Sequence, residues 1–229
     1  MSRACPVYRV RQAGAEDVPG MIAMCEAIYP ETPPWTRDQL ALHQRIFPEG
    51  QLVAVADGTN EVMGSASSLV VAWDDYEMNT SWRDFTSRGT FVNHDPAGRT
   101  LYGADVMVHP AWQGCGVGKR LYEGRRDLVR RLGLRRIRAG ARLRGYHRYA
   151  ETHTPEQYAA EVVAGRIGDP TLSFQIKQGF SVLAVVRGYL RFDPESLGNA
   201  AVIEWVNPEW VEPGADAASS APAAQRSPR

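Results

Sequence analysis

Asp105-Val-Met-Val-His-Pro-Ala-Trp-Gln-Gly-Cys-Gly-Val-Gly-Lys-Arg-Leu121 is the stretch that decides the fold of this chain. Its first residues alternate as in a strand, glycines follow at 114, 116 and 118, and an amphipathic helix begins at Val117. Glycine lets backbone N–H groups approach an anion with no side chain in the way, and a helix N-terminus adds the positive end of its dipole. The stretch therefore predicts a site for phosphate or pyrophosphate.

Three kinds of phosphate-binding loop compete for this stretch. A nucleoside-triphosphate loop places Ser or Thr after its lysine to hold magnesium, whereas Arg120 follows Lys119 here. The dinucleotide fingerprint G-x-G-x-x-G needs its third glycine one residue later than Gly118. The third pattern, Gln/Arg-x-x-Gly-x-Gly/Ala, is matched in full from Gln113 to Gly118.

The composition is that of an ordinary globular protein of 229 residues and 25.3 kDa, with 44% hydrophobic and 23% charged residues. It excludes a fibrous or wholly disordered chain. Because 26 basic residues balance 26 acidic ones, bulk charge does not indicate a polyanionic partner. No apolar run approaches the ~20 residues of a membrane span, and the N-terminus lacks a signal-peptide core. We therefore expect no membrane partner and a cytoplasmic location.

The cysteines, Cys5, Cys25 and Cys115, are few and far apart in the sequence. That number and spacing do not suit a disulfide framework or a metal site. We expect reduced thiols and no metal.

Periodicity and turn residues predict strands alternating with helices around a mixed sheet, which is an α/β (α+β) fold class. The predicted strands are Tyr8–Arg11, Leu52–Ala56, Val62–Ala72, Leu101–Val108, Leu134–Ala139, Val182–Phe192 and Ala200–Val206. The predicted helices are 18–28, 36–47, 117–132, 155–164 and 172–178, with Thr36 as an N-cap and Gly133 as a C-terminal cap. Residues 1–211 are expected to form one domain with long excursions at 73–98 and 144–170, and residues 212–229 a disordered tail.

The glycine loop, in this order of elements, resembles the central motif of the GNAT superfamily of acetyl-CoA-dependent N-acetyltransferases. Gln178-Gly179-Phe180 is similar to the family's Gly-Phe near its last strands, and the resemblance covers Tyr8 to Val206. It implies a mostly antiparallel central sheet flanked by helices. It also implies transfer of an acetyl group from acetyl-CoA to an amine by direct attack in a ternary complex. Asp169–Phe180 and Ile203–Pro208 further resemble acetyltransferase-like domains fused ahead of nitrilase-type carbon–nitrogen hydrolases.

The resemblance implies which backbone groups hold the cofactor. N–H groups at the end of the motif strand are expected to hold the pantetheine arm and polarise the thioester; they map to Val106, Met107 and Val108. N–H groups of the loop are expected to take the pyrophosphate; they map to Gln113, Gly114, Cys115, Gly116, Val117, Gly118 and Lys119.

The catalytic base is expected to be Asp105, the acid on the motif strand. Strand alternation places Asp105 and Met107 on the face opposite Val106 and Val108, where a carboxylate can accept the amine proton directly or through water. Weaker candidates are His94, Asp95 and His109, each of which also suits a solvated or turn position. An acidic run and an aromatic cluster in the excursions could border the acceptor site or be ordinary surface; their members are Asp74, Asp75, Glu77, Tyr146, His147 and Tyr149.

The sequence departs from the family at the general acid, the group that protonates the leaving CoA thiolate. Many members place a tyrosine four residues before the Gly-Phe glycine, and here that position is Gln175. An amide can hydrogen-bond but cannot donate a proton as an acid. A CoA-binding sensor or scaffold with little transferase activity is therefore the alternative function. The expected acceptor is a small-molecule or protein amine, and no sequence pattern identifies it. The sequence does not decide whether the chain forms a homodimer.

A local basic block occupies the second half of the chain. Its members are Lys119, Arg120, Arg125, Arg126, Arg130, Arg131, Arg135, Arg136, Arg138, Arg142, Arg144 and Arg148. Some could flank the CoA phosphates. The block lacks an interleaved aromatic platform and a nucleic-acid motif, so we do not expect nucleic acid as a partner.

Overall fold

A mixed sheet with the order β1-β2-β3-β4-β5-β7-β6 is the centre of the computed structural model, which describes residues 4–30 and 35–212. The strands are β1 (Tyr8–Gln12), β2 (Gln51–Ala56), β3 (Val62–Val71), β4 (Thr100–Val108), β5 (Arg136–Arg142), β6 (Ser181–Val186) and β7 (Ala200–Val206). The β4–β5 pair is parallel and the other pairs are antiparallel. This mostly antiparallel α/β sheet confirms the predicted fold class.

Helices cover both faces of the sheet. They are α1 (Val18–Ile28), α2 (Arg37–Ile46), α3 (Trp82–Phe85), α4 (Val117–Arg131), α5 (Pro155–Val163) and α6 (Leu172–Lys177). Short 3₁₀ turns lie at Ala15–Asp17, Pro48–Gly50, Trp73–Asp75, Pro110–Trp112 and Tyr146–Arg148. No helix in the described ranges is both long and apolar enough to cross a membrane.

Strand alternation decides which helices each residue meets. On β2, Val53 and Val55 pack in one core cluster with α1 and α2, whereas Leu52 and Ala54 pack in another with α4. Each strand thus sends alternate side chains to the two faces. The α1–α2 layer and the α4 layer therefore enclose the sheet from opposite sides.

The predicted caps of two helices are confirmed. Thr36 Oγ1 accepts the N–H of Gln39 at 3.1 Å, and the Gln39 side chain accepts the N–H of Thr36 at 3.0 Å, which is a capping box. Gly133 follows α4 with φ +62°, the left-handed conformation that glycine adopts most easily.

Two predicted strands differ from the structure by more than one residue at an end. The strand predicted at Leu134–Ala139 runs from Arg136 to Arg142, and the strand predicted to reach Phe192 ends at Val186. The chain turns instead at Gly188 and Gly198, which have φ of +67° and +78°. This turn makes a separate β6–β7 connection, residues 187–199, that packs beside the end of β5.

The excursion at 73–98 is a packed layer rather than an open connection. Trp73, Phe85 and Phe91 are buried against β3, β4 and β7, and the Trp82 indole N–H donates to the carbonyl of Ala104 at 2.8 Å. The aromatic residues of this excursion therefore serve the core. The predicted tail reaches beyond Glu212, outside the described residues.

Candidate active site

The glycine loop lies between the 3₁₀ turn Pro110–Trp112 and the first residue of α4. Gly114 and Gly116 have φ of +83° and +79°, a conformation that favours glycine. Five backbone N–H groups there donate to no residue that the structure describes, those of residues 114, 116, 117, 118 and 119. The N–H groups of Gln113 and Cys115, which were also expected to take the pyrophosphate, donate instead to the carbonyls of Pro110 and Trp112 at 3.4 and 3.3 Å. Free N–H groups at the start of a 15-residue helix form an anion-binding cradle.

The third glycine has a packing role. A β-carbon at Gly118 would lie 3.1 Å from the Phe174 ring and 3.6 Å from Val108. Gly118 therefore lets the start of α4 lie close to α6 and β4. Gly64 of β3 does the same from the sheet, where a β-carbon would meet Val117 at 2.7 Å. These close contacts fix the cradle relative to β4.

A gap opens in the sheet beside the cradle. The β4–β5 pairing ends at Gly103 and Ala139, while β4 continues to Val108 along β3 alone. The His109 N–H donates to Met63 of β3, so alternation directs the N–H groups of Val106 and Val108 away from β3 and toward the gap. The same alternation places the N–H of Met107 in the β3 ladder.

A β-bulge turns Asp105 toward the α1–α2 face of the sheet. Ser67 of β3 pairs with Asp105 and Ser68 pairs with Gly103, so Ala104 is the extra residue of β4. Beyond the bulge, Met107 packs with α1 and α2, and Val106 and Val108 pack with α4. The predicted division of faces is confirmed.

The Asp105 carboxylate is held by two donors at the edge of the gap. Oδ2 accepts the Trp35 indole N–H at 2.9 Å, and Oδ1 accepts the Ser67 N–H at 3.1 Å. Burial raises the pKa of Asp105 above its ordinary value, although the charge of Arg125 and both donated hydrogen bonds oppose the rise. A half-buried carboxylate with a raised pKa is a stronger base than an ordinary carboxylate, which suits Asp105 to accept a proton.

Arg125 of α4 closes the bulge from the other face. Its buried guanidinium donates to Ser68 Oγ at 3.0 Å, to the Ser67 carbonyl at 2.8 Å and to the Asp105 carbonyl. These hydrogen bonds replace the ladder bonds that the bulge removes. Arg125 was predicted only as part of the basic block, although its spacing from Leu121 and Leu128 places it on the apolar face of α4.

Gln175 is buried rather than open to a ligand. Its amide N–H donates to the Tyr122 hydroxyl at 2.9 Å, and its carbonyl oxygen is buried without a partner in the described part of the chain. Burial raises the pKa of Tyr122 above its ordinary value, although the charge of Arg125 and the hydrogen bond with Gln175 oppose the rise. The position that many family members give to a tyrosine thus tethers α6 to α4.

The weaker base candidates have structural contacts. His94 Nδ1 accepts the N–H of Val70 at 3.0 Å, and burial lowers the pKa of His94. Asp95 accepts the N–H of Ala97 within a turn, and His109 Nδ1 accepts the N–H of Ala111 as a helix cap. None of these side chains joins Asp105 in a hydrogen bond between described residues.

The two excursions do not bring their charged and aromatic candidates to Asp105. Asp74, Asp75 and Glu77 are exposed. Tyr146 and Tyr149 pack with α5 on the face of the sheet opposite Asp105, and the Tyr146 hydroxyl donates to the His153 carbonyl at 3.0 Å. His147 is hydrogen-bonded to the Glu195 carbonyl at 2.8 Å.

A charged cluster at the end of β5 had no signal in the sequence. The Arg142 guanidinium donates to Asp193 at 2.8 Å, to Glu195 at 2.7 Å and to the Tyr29 hydroxyl at 3.4 Å. Burial acts to raise the pKa of Asp193, but hydrogen bonds from Arg142 and Ser196 bring it below its ordinary value. The cluster ties the end of α1 and the β6–β7 connection to β5 beside the gap.

The basic block divides between exposed and engaged side chains. Lys119 and Arg120, next to the cradle, are about two thirds exposed and pair with Glu123 at 3.9 and 3.0 Å. Arg138 pairs with Glu204 at 2.7 Å and covers the Trp73 ring. Within the described residues, no group of three or more His, Cys, Asp and Glu could hold a metal ion.

Cys5 and Cys115 form a disulfide, so the expectation of reduced thiols is wrong for this pair. Their Cα atoms are 5.5 Å apart although 110 positions separate them in the sequence. Tyr8, at the start of β1, donates to the Cys115 carbonyl at 3.2 Å, which shows how the sheet brings the N-terminal segment to the glycine loop. Cys25 is a buried free thiol, and burial raises its pKa.

Thiol titration tests this pairing. The unfolded, unreduced chain is expected to show one free thiol, that of Cys25, and the reduced chain is expected to show three. Disulfides are rare in reducing compartments, so the same count on protein alkylated in the cell also tests the predicted cytoplasmic location. Three free thiols after purification without reductant would contradict a Cys5–Cys115 bond.

Comparisons with known proteins agree with this fold. The family model described as "Acetyltransferase (GNAT) family" matches residues 21–162. The loading GNATL domain of CurA from Lyngbya majuscula is similar in structure, with a TM-score of 0.76 and 19% identity over 88% of this chain and 98% of that one. At 19% sequence identity, this structural similarity shows a shared fold and nothing more.

Two relatives from Bacillus subtilis (strain 168) are similar in sequence. "Probable hydrolase YhcX" is 39% identical over 88% of this chain, and the chain spans only 39% of that protein's length. "Uncharacterized N-acetyltransferase YkwB" is 35% identical over 86% of this chain and 88% of its own length. The narrower resemblance to domains fused to nitrilase-type hydrolases stays a prediction. With its glycine cradle, its divided sheet and these matches, the chain belongs to the acetyltransferase (GNAT) family of enzymes.

Proposed function

We propose that this chain transfers an acetyl group from acetyl-CoA to a small-molecule or protein amine by direct attack in a ternary complex. The observation that carries the proposal is a juxtaposition: the free N–H groups at the start of α4 lie beside the gap between β4 and β5. The Asp105 carboxylate lies at that gap, on the far face of the sheet. Membership of the family supports acyl transfer; acetyl as the group and an amine as the acceptor are the proposal.

The cofactor would lie along the α4 side of the sheet. The pyrophosphate fits the cradle, where unpaired N–H groups and the helix dipole both favour an anion. From there the pantetheine arm would follow β4, whose Val106 and Val108 N–H groups are directed toward the gap. The same N–H groups can polarise the thioester carbonyl, because they are fixed before the reaction begins.

Asp105 is the base in this proposal. An amine is protonated in water and must lose one proton before its lone pair can attack. After the attack the nitrogen carries a positive charge again and must lose a second proton. The Asp105 carboxylate can attract the cation and then accept one of these two protons, while the other goes to solvent. Trp35 and Ser67 fix its two oxygens, so that the carboxylate needs little rearrangement.

A CoA-binding sensor or scaffold is the second candidate function. Gln175 favours it, because its amide is tied to Tyr122 and supplies no acid. The two candidates share the cradle but differ in turnover.

Thiol release from acetyl-CoA across a panel of amines separates the two functions. We expect release that depends on the amine, together with an acetylated product of matching amount. Binding of acetyl-CoA with no amine-dependent release would favour the sensor. The heat-stability shift produced by acetyl-CoA measures binding independently of turnover.

A further inference from the structure

The glycine loop has few contacts of its own to fix its shape. Its two ends, Trp112 and Val117, are buried, whereas three of the four residues between them are exposed and the fourth, Cys115, is half-buried. The turn bonds that Gln113 and Cys115 donate, at 3.4 and 3.3 Å, are longer than most N–H···O hydrogen bonds. A β-carbon at Gly114 would meet nothing within 4 Å, so the loop is open on that side. The shape of the loop therefore depends on another segment.

That segment is the N-terminal one, ahead of β1. The disulfide between Cys5 and Cys115 fixes the middle of the loop through a covalent bond. The Tyr8 hydroxyl donates to the Cys115 carbonyl at 3.2 Å, and a β-carbon at Gly116 would lie 3.5 Å from the same hydroxyl. Because Tyr8 pairs with Ala56 of β2, these contacts connect the loop to the edge of the sheet.

The residue that these contacts hold is the centre of the cradle. Cys115 lies between Gly114 and Gly116, whose free N–H groups flank it. Glycine backbones are conformationally free, so the loop without its disulfide samples arrangements in which these N–H groups diverge. Ordering them on an anion then costs conformational entropy, which a loop already fixed by a covalent bond does not lose. The disulfide therefore preorganises the cradle.

The disulfide is open to thiols at one of its two sulfurs. Cys5 is exposed, whereas Cys115 is half-buried. An incoming thiolate therefore attacks the Cys5 sulfur, and Cys115 is the leaving thiolate beside the start of α4. The positive end of the α4 dipole stabilises a thiolate there, and a stabilised thiolate leaves faster. This arrangement suits a bond that is broken and formed again.

We propose that the Cys5–Cys115 disulfide is a reversible switch of acetyl-CoA affinity. The oxidised chain has the ordered cradle and binds tightly, and reduction by a low-molecular-weight thiol loosens the loop and weakens binding. The inference rests on the proposed function, because the cradle must hold the pyrophosphate. Reduction leaves the Asp105 carboxylate and its two donors unchanged, since they lie on the other face of the sheet.

The switch balances in atoms and electrons. The thiolate of one low-molecular-weight thiol bonds to the Cys5 sulfur, and the Cys5–Cys115 bond breaks with its electron pair going to Cys115. A second thiolate attacks the sulfur of the first in this mixed disulfide, and the electron pair of that S–S bond goes to Cys5. The two protein thiolates take up the two protons that the thiols lost. Two thiols thus become one disulfide, and a low-molecular-weight disulfide reverses the change.

Calorimetry with acetyl-CoA, whose sulfur is blocked as a thioester, tests the switch on the oxidised chain and on the chain reduced with a phosphine. Ordering about one loop residue again should make the Kd about 10-fold weaker after reduction. The probe 3′-phospho-ADP, which has the pyrophosphate but no pantetheine arm, should weaken by the same factor, because the loss arises at the cradle. Oxidation with a low-molecular-weight disulfide should restore the first Kd.

Two cysteine variants make the test specific. Cys5→Ser removes the bond and should show the weaker Kd with or without reductant. Cys25→Ala is the matched control: it removes the free thiol and should respond to reductant as the parent does. Circular dichroism checks that each form is folded at the temperature of the titration.

Three results would overturn the inference. They are an equal or tighter Kd in the reduced chain, a loss of acetyl-CoA affinity that 3′-phospho-ADP does not share, and failure of both the reduced chain and Cys5→Ser to fold. In the last case the disulfide is a structural bond alone. Failure of the oxidised parent to bind acetyl-CoA would instead overturn the proposed function itself.

Discussion

Asp105→Asn is expected to lower kcat by about 10²- to 10⁴-fold, the range found when a positioned base is removed. The amide nearly matches the carboxylate in shape but cannot accept the amine proton. Its NH₂ group must also face one of the two N–H donors, Trp35 or Ser67, and loses that hydrogen bond. Acetyl-CoA affinity should be unaffected, because the cradle lies on the opposite face of the sheet. Steady-state kinetics with an active amine, together with calorimetry of acetyl-CoA binding, measures both quantities.

The pH dependence of the parent follows from the same carboxyl. Asp105 must be ionised to act as a base, and burial raises its pKa, so activity should fall with falling pH at a higher pH than an ordinary aspartate carboxyl would give. Trp35→Phe removes one donor that lowers this pKa and should move the acid limb to higher pH while keeping an aromatic ring in place. A kcat and pH profile unaltered in Asp105→Asn would exclude Asp105 as the base.

Gly116→Glu is expected to abolish measurable acetyl-CoA binding. The new carboxylate would lie at the cradle, where it competes with the pyrophosphate for the free N–H groups and repels it. Position 116 also has φ +79°, so any side chain there adds strain of about 1–2 kcal/mol.

Gly133→Glu is the matched control for that strain and charge. Gly133 lies beyond the other end of α4 with φ +62°, and a β-carbon there meets nothing within 4 Å. Both variants add one negative charge in a left-handed conformation, but only Gly116→Glu does so at the cradle. Calorimetry should find parent-like binding for Gly133→Glu. Equal affinity in both variants and the parent would mean that the glycine loop does not hold the cofactor.

The local parts of the fold were predictable because their signals are local. The glycines at 114 and 116 require positive φ, and the strand before them alternates. These two patterns alone predicted the loop, the start of α4 and the placement of Asp105 and Val106 on opposite faces of the sheet. The Thr36 capping box is likewise contained within four residues.

The remaining parts depend on contacts between distant segments. Cys5 meets Cys115 only because β1 and α4 are brought together by the sheet, and no spacing in the sequence indicates it. Tyr189 falls in an apolar run that reads as one strand to Phe192, whereas the chain turns at Gly188 and lays the ring on Gly140. The burial of Arg125 depends on a bulge whose position is set by pairing with β3.

A crystal structure of the chain with acetyl-CoA bound tests the central claim most directly. We expect pyrophosphate oxygens within hydrogen-bond distance of the N–H groups of residues 114 and 116–119, and a pantetheine arm beside Val106 and Val108. We also expect the thioester to lie in the gap between β4 and β5, beside Asp105. A cofactor bound elsewhere, or a thioester that does not enter the gap, would contradict it.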